Sequence, residues 1–260
     1  MSNYHLLLIV FCILYFGSCV DSDVNKTEKS SLMDLGSEVE TVLLNETKSV
    51  LQKYDDWEHQ EYYGIDVSHY QGNVVDLMSS RDSLHFIICK ATEGSSYVDP
   101  DFHSNWKVIK SKGFIRGAYH FYKFDKDPVT QANHFAKQIS DIDFSDIAPV
   151  VDVEEGSLSS SIDAQKMHTD LQTFLTTIEA SLKRKPIIYS NTSFANQYLT
   201  NSAFGEYRLW LADYTKGNPD VPNAWKESGY LIWQKSSNYH ERSVTTDFDL
   251  YHGKLNELVR

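Results

Sequence analysis

The segment Pro149-Val-Val-Asp152-Val-Glu154 places two carboxylates two residues apart in an otherwise apolar run. Strand alternation would turn Asp152 and Glu154 to one face and Val153 to the other. Charges in such a run are costly to bury unless they are paired or functional. Two more acids sit in comparable places, Asp66 near the end of the run 62–68 and Asp247 within 245–251. Four acids facing one cleft raise one another's pKa and leave one protonated near neutral pH. A protonated acid beside ionised ones is the equipment for cleaving a glycosidic bond. Around them, Tyr119, Tyr189, Trp210 and Tyr214 offer faces on which sugar rings stack, and Asp213 and Gln234 offer polar partners for hydroxyls. Tyr119, Tyr189, Trp210, Asp213 and Gln234 are therefore the substrate-binding candidates. Three neighbours have blander readings. Lys90 is expected to neutralise one of the acids, His120 to be a hydrogen-bonded core histidine, and Asp249 either to be a bystander or to form an ion site with Asp247.

These residues need a scaffold that brings them together. Short β-rich runs recur at 62–68, 86–92, 115–122, 148–154, 186–191, 207–214, 231–236 and 245–251. Helix-like segments at 105–112, 128–139 and 162–182 lie between the earlier ones. Alternating strands and helices mean βαβ units and a parallel sheet, and eight strands suggest a barrel. A complete (β/α) barrel takes about 250 residues, whereas residues 62–260 number 199. The shortfall falls late: 216–229 has no clean helical period, and 237–244 is too short for a helical crossover of roughly a dozen residues. Five regular β/α units followed by strands without full helices are expected. Polar residues cluster at the C-terminal ends of the runs (Asp66, Glu93, His120, Asp152, Glu154, Asn191, Asp213, Gln234, Asp247), the ends that converge on one face of a barrel.

Composition narrows the chemistry further. The 260 residues carry 36 Asp/Glu against 24 Lys/Arg, a net charge of −12, of which −7 falls in residues 21–61. No basic stripe is present to neutralise phosphates, so a nucleic-acid partner is excluded. Zinc spacings, a dinucleotide or P-loop glycine pattern and a GxSxG are absent, and neither a metal nor a cofactor is expected. At the N-terminus, residues 6–16 form an apolar run of 11, followed by Gly17, Ser18 and Cys19. That run is too short to span a bilayer and fits an export signal over residues 1–19. Phe16-Gly-Ser-Cys19 resembles a lipobox, so membrane attachment through a lipidated Cys19 is expected, with a plain secretion signal as the alternative. Residues 20–61 read as an acidic spacer with one helix, patterned by Leu32, Leu35, Val39, Val42, Leu43 and Val50, and residues 62–260 as the main domain. Sequons stand at Asn25, Asn45 and Asn191. With Cys12 and Cys19 in the leader, Cys89 has no evident pairing partner.

From Tyr63 to Leu258 the chain resembles glycoside hydrolase family 25, the Chalaropsis-type lysozymes. The resemblance rests on Gly64-Ile-Asp-Val-Ser-His-Tyr-Gln-Gly72, Ile88-Cys-Lys-Ala-Thr-Glu-Gly94 with Tyr97-Val-Asp-Pro-Asp-Phe102, Gly117-Ala-Tyr-His-Phe121, Pro149-Val-Val-Asp-Val-Glu154, Pro186-Ile-Ile-Tyr-Ser190, Leu209-Trp-Leu-Ala-Asp-Tyr214 and Ile232-Trp-Gln234, in that order. It implies an α/β fold, an incomplete TIM-like barrel of the form (β/α)5β3. It also implies a monomeric, exported N-acetylmuramidase acting on the glycan strands of peptidoglycan. By the same resemblance Glu154 is the general acid. Asp152 stabilises positive charge or orients a substrate 2-acetamido group, and Asp66 and Asp247 complete the acidic cleft. One departure is Thr246-Asp-Phe-Asp249, where relatives commonly have Val-Asp-Leu-Asn. Two other readings share the residues: a glycan-binding barrel without catalysis, and an endo-N-acetylglucosaminidase on a related polymer.

Overall fold

The computed structural model describes residues 60–79, 83–158, 163–241 and 244–259. The export signal, Cys19, the spacer helix and the sequons at Asn25 and Asn45 lie outside the described residues. Nine strands form one sheet: β1 (Glu61–Val67), β2 (Phe86–Glu93), β3 (Tyr97–Val98), β4 (Ile115–Phe121), β5 (Val150–Asp152), β6 (Ile187–Asn191), β7 (Arg208–Ala212), β8 (Ile232–Glu241) and β9 (Val244–His252). Strand β1 pairs in parallel with β2 and antiparallel with β9, which closes eight of the strands into a ring. The remaining one, β3, is a two-residue flap turned back on the tip of β2. Around the ring, β1, β2 and β4 to β8 run parallel, and β9 alone runs against its neighbours.

Helices follow the first five ring strands: α1 (Val74–Leu77), α2 (Phe102–Ser111), α3 (Pro128–Gln138), α4 (Ala164–Leu182) and α5 (Thr192–Tyr198). After β7 only a 3-10 turn, Asn223–Trp225, precedes β8, and a final short helix α6 (Leu255–Leu258) follows β9. This is the (β/α)5β3 arrangement. Two expected boundaries move. Strand β8 runs on to Glu241 and forms a hairpin with β9, because the segment too short for a helical crossover is long enough for paired strands. Strand β5 stops at Asp152. The Glu154 N–H bonds Ser157 Oγ at 3.1 Å and the chain enters a 3-10 turn, Glu155–Ser157.

Helix starts are fixed locally. The Asp127 carboxylate accepts the Thr130 N–H at 2.8 Å with Pro128 in the first turn, and the Asp163 carboxylate accepts the Lys166 N–H at 3.0 Å. Helix α4 buries Met167, Leu171, Phe174, Leu175 and Ile178, one face at helical spacing.

Alternation along the strands divides the core into two layers. Ile65, Val67, Ile87, Cys89, Ala91, Val151, Ile188, Leu209 and Leu211 join the cluster packed against the helices. Phe86, Ile88, Val150, Ile187, Trp210, Ile232 and Tyr251 form a second cluster that fills the barrel interior. A side chain at Gly64 would overlap the Phe86 ring at 2.2 Å, so glycine there lets Phe86 plug the base of the barrel. Cys89 is a buried free thiol. His120 is fully buried between Thr92 and Gln131, and burial pushes its pKa down to about 3. It is a neutral core histidine, as expected.

Candidate active site

The inward-facing series of each strand leads directly to the site. Gly64 is followed by Asp66, Ile88 by Lys90, Gly117 by Tyr119, Val150 by Asp152, Ile187 by Tyr189 and Ile232 by Gln234. Each pair steps from the apolar plug up to the C-terminal rim, so the polar members meet above a hydrophobic floor. Because β9 runs the other way, its inward residues descend as the chain proceeds: Asp247 at the rim, Asp249 one layer down and Tyr251 in the plug. Asp66 stands opposite Asp247 in the β1–β9 register. The resulting cleft of about 300 Å³ is lined by Asp66, Asp152, Glu154 and Asp247 with Tyr119, Tyr189, Trp210 and Gln234. Ser68, Tyr70, Lys90, Phe121 and Tyr214 complete its wall.

Gln234 organises one side. Its amide donates to Asp66 Oδ2 at 2.7 Å, and its carbonyl oxygen accepts the hydroxyls of Tyr189 at 2.9 Å and Tyr214 at 2.8 Å. The bond from Gln234 favours the charged form of Asp66. Burial and the neighbouring Asp249 and Asp247 outweigh it and hold this acid well above the usual carboxylate range. Asp249 is fully buried; its Oδ1 accepts the Trp210 indole N–H at 2.8 Å, and its Oδ2 meets no hydrogen-bond partner among the described residues. Burial likewise holds Asp249 well above the ordinary range, against the pull of the Trp210 bond.

On the other side, burial raises both Asp152 and Glu154, the former also through the charge of Glu154 and the latter through that of Glu155. Asp152 Oδ1 is buried and meets no hydrogen-bond partner among the described residues. Burial pushes Asp247 up to about 6. Lys90 bonds Glu93 at 2.8 Å rather than one of the cleft acids, yet its charge still works to lower the pKa of both Asp152 and Glu154. Glu154 continues the strand direction past β5 with an extended backbone (φ −147°, ψ −173°), which is why it reaches the same cleft as Asp152 although the ladder has ended.

The structure thus gathers all four predicted acids and four of the five substrate-binding candidates. Asp213 is the exception. Its carboxylate accepts the N–H groups of Thr215 at 3.1 Å and Asp220 at 2.8 Å, so it shapes the loop after β7 and does not line the cleft. Trp210 is only 1% exposed and lies edge-on to Tyr189 at 4.7 Å, a floor residue rather than an open stacking face. Two other strand-end residues are structural. Glu93 pairs with Lys90, and Asn191 caps α5 through Phe194 N–H at 2.8 Å while donating to Glu155. The sequon at Asn191 therefore falls on an amide already engaged. Missed were Ser68, Tyr70 and Phe121. Their position two residues beyond Asp66 or Tyr119 in the inward series, or just past it, is the signal that could have found Ser68 and Phe121. Tyr70, 81% exposed on a 3-10 turn, carries no periodic signal. Also missed was Gly156, where a Cβ would lie 2.9 Å from Phe121 and 3.5 Å from Glu154 Oε1.

The family model for glycosyl hydrolases family 25 matches residues 65–244. The chain is similar to the uncharacterized protein YegX of Escherichia coli (strain K12), 36% identical over 209 residues covering 75% of this chain and 71% of YegX. It is similar to the N,O-diacetylmuramidase of Chalaropsis sp, 31% identical over 188 residues covering 68% and 88%. Among solved structures, a family 25 lysozyme from Aspergillus fumigatus superimposes with a TM-score of 0.68 at 29% identity, covering 77% of this chain and 99% of that one. With more than half its length matched by the family model and the barrel closed in the same way, the chain belongs to glycosyl hydrolase family 25.

Proposed function

We propose that the protein is a lysozyme of the N-acetylmuramidase type, which hydrolyses the β-1,4 bond between MurNAc and GlcNAc in bacterial peptidoglycan with Glu154 as general acid. Family membership makes it a glycoside hydrolase. The observation that carries the assignment of roles is the convergence of Asp152 and Glu154 on one cleft, both with pKa values raised by burial. With its pKa raised by burial, Glu154 holds its proton to higher pH than an ordinary glutamate and can deliver it to the departing O4 oxygen. Asp152 has a buried oxygen free to accept the N–H of the 2-acetamido group on the sugar being cleaved. Held that way, the acetamido oxygen attacks C1 as the C1–O4 bond breaks. Water, deprotonated by Glu154, then opens the cyclic intermediate with net retention. Asp66 and Asp247 tune the pair through their charge.

The test is digestion of purified peptidoglycan, borohydride reduction and mass spectrometry, with Glu154→Gln beside the wild type. New reduced muramic-acid ends are expected. In the variant they should fall by about 10²- to 10⁴-fold, the usual contribution of a general acid. Reduced glucosamine ends would move the cut by one sugar, and a fully active variant would overturn the general-acid role. Because its substrate lies outside the cytoplasm, the enzyme is exported. We place its anchor at a lipidated Cys19, so Cys19→Ser should shift the protein from the membrane fraction to the soluble one. Unchanged fractionation would leave only a secretion signal.

A further inference from the structure

A second cavity of about 360 Å³ adjoins the acid cleft and shares Tyr70 and Lys90 with it. Its charge is opposite to that of its neighbour. Lys90, Lys123 and Lys126 line it, in a domain whose overall balance is acidic. Their partners leave an excess of positive charge. Lys90 is matched by Glu93 inside the cavity, and Lys126 by the exposed Asp125 at 3.1 Å. Lys123 donates to the Gly156 carbonyl at 2.8 Å and meets no carboxylate within ion-pair distance among the described residues. Gly94, at φ 53°, and the hydroxyls of Ser95 and Ser96 form the turn beneath. A Cβ at Gly94 would meet the Lys123 stem only in ordinary contact at 3.4 Å, so it is the left-handed backbone of the turn that favours glycine there.

Such a site asks for a substrate that is uncharged at the bond being cut and anionic on a branch a few ångströms away. Resting on the muramidase reading, we propose that this cavity is a subsite for the carboxylates of the stem peptide borne on the lactyl ether of the muramic sugar. Tyr70, exposed between the two cavities, would carry the sugar while the branch crosses it. A neutral hydroxylated glycan unit gains little from three ammonium groups, whereas a peptide carboxylate meets two of them on the rim at Lys123 and Lys126.

The experiment uses soluble, uncross-linked glycan chains with intact stems, and the same chains after their carboxylates have been converted to amides. The two substrates differ in charge and hardly in size. The wild type should cleave the charged substrate with a kcat/KM about three- to tenfold higher, the range expected for two solvent-exposed ion pairs, and the difference should reside in KM. Lys123→Gln/Lys126→Gln should abolish that preference while cleaving the amidated chains as the wild type does. An equal loss on both substrates, or an undiminished preference in the double variant, would overturn the subsite. A wild type that cleaves neither substrate would instead remove the muramidase reading on which it rests.

Discussion

Asp249→Asn is predicted to separate a carboxyl that the fold must tolerate from the four that line the cleft. In the wild type Asp249 lies in the layer beneath the rim, bonded to the Trp210 indole, with Asp247 above it. Its folded pKa stands above the ordinary aspartate value of about 4, so between that value and its folded pKa the native state holds a proton that the unfolded chain has released. The sign follows from linkage. The contribution of this group is fully present below about pH 4 and is lost as pH rises towards the folded pKa, at about 1.4 kcal/mol per pH unit for one proton. Asparagine keeps the shape, offers its oxygen to Trp210 and takes no part in titration. Denaturant unfolding from pH 4 to 8 should show the variant gaining on the wild type by about 1.4 kcal/mol for each pH unit across that window, after which the difference levels off. Turnover in mild acid should persist, because the bond from the Trp210 indole survives. A stability difference independent of pH would refute the raised proton affinity of Asp249. A collapse of activity as deep as that of Glu154→Gln would show that the acid itself is needed.

Asp152→Asn should lower kcat by at least about a hundredfold with the fold intact, since the amide can no longer balance positive charge; a loss below about tenfold would make Asp152 a bystander. Gly156→Ala should reduce turnover with little change in Tm. Its methyl would press on Phe121 at 2.9 Å and crowd Glu154 Oε1, and wild-type kinetics would show that the Glu154 carboxyl has room to spare.

The sequence disclosed most of the barrel because its strands and helices are locally patterned. Short, nearly continuous β-rich runs such as Phe86–Glu93 and Ile187–Asn191, and the helical face of Ala164–Leu182, need no distant information to be recognised. The acids were legible because charge inside apolar strands is physically expensive. Asp213 misled for the opposite reason. At a strand end it has the same sequence appearance as Asp66, and only the loop that turns back onto it shows that two backbone N–H groups claim its carboxylate. The depth of Asp249 was hidden as well, because it depends on the direction of β9, which pairs with β8 as a hairpin instead of following a helix. Lys90 was read as a partner for an acid of the cleft. Its ammonium in fact lies on Glu93, three residues along its own strand, and acts on Asp152 and Glu154 from there.

That reversed strand has a thermodynamic consequence for the whole site. Asp66, Asp152, Glu154, Asp247 and Asp249 all have raised pKa values, and every one of them therefore opposes folding more strongly as the pH climbs. The apolar plug of Phe86, Ile88, Trp210 and Tyr251 beneath them and the closed ring around them must offset that cost. Under the proposed mechanism four of the acids tie this cost to function, since the raised proton affinity of the cleft keeps Glu154 protonated to higher pH. Asp249 lies below the cleft wall, where a neutral amide can keep the bond from the Trp210 indole. The proposed mechanism gives it no part, and therefore predicts that stability and activity come apart at this position and are coupled at the four acids that line the cleft.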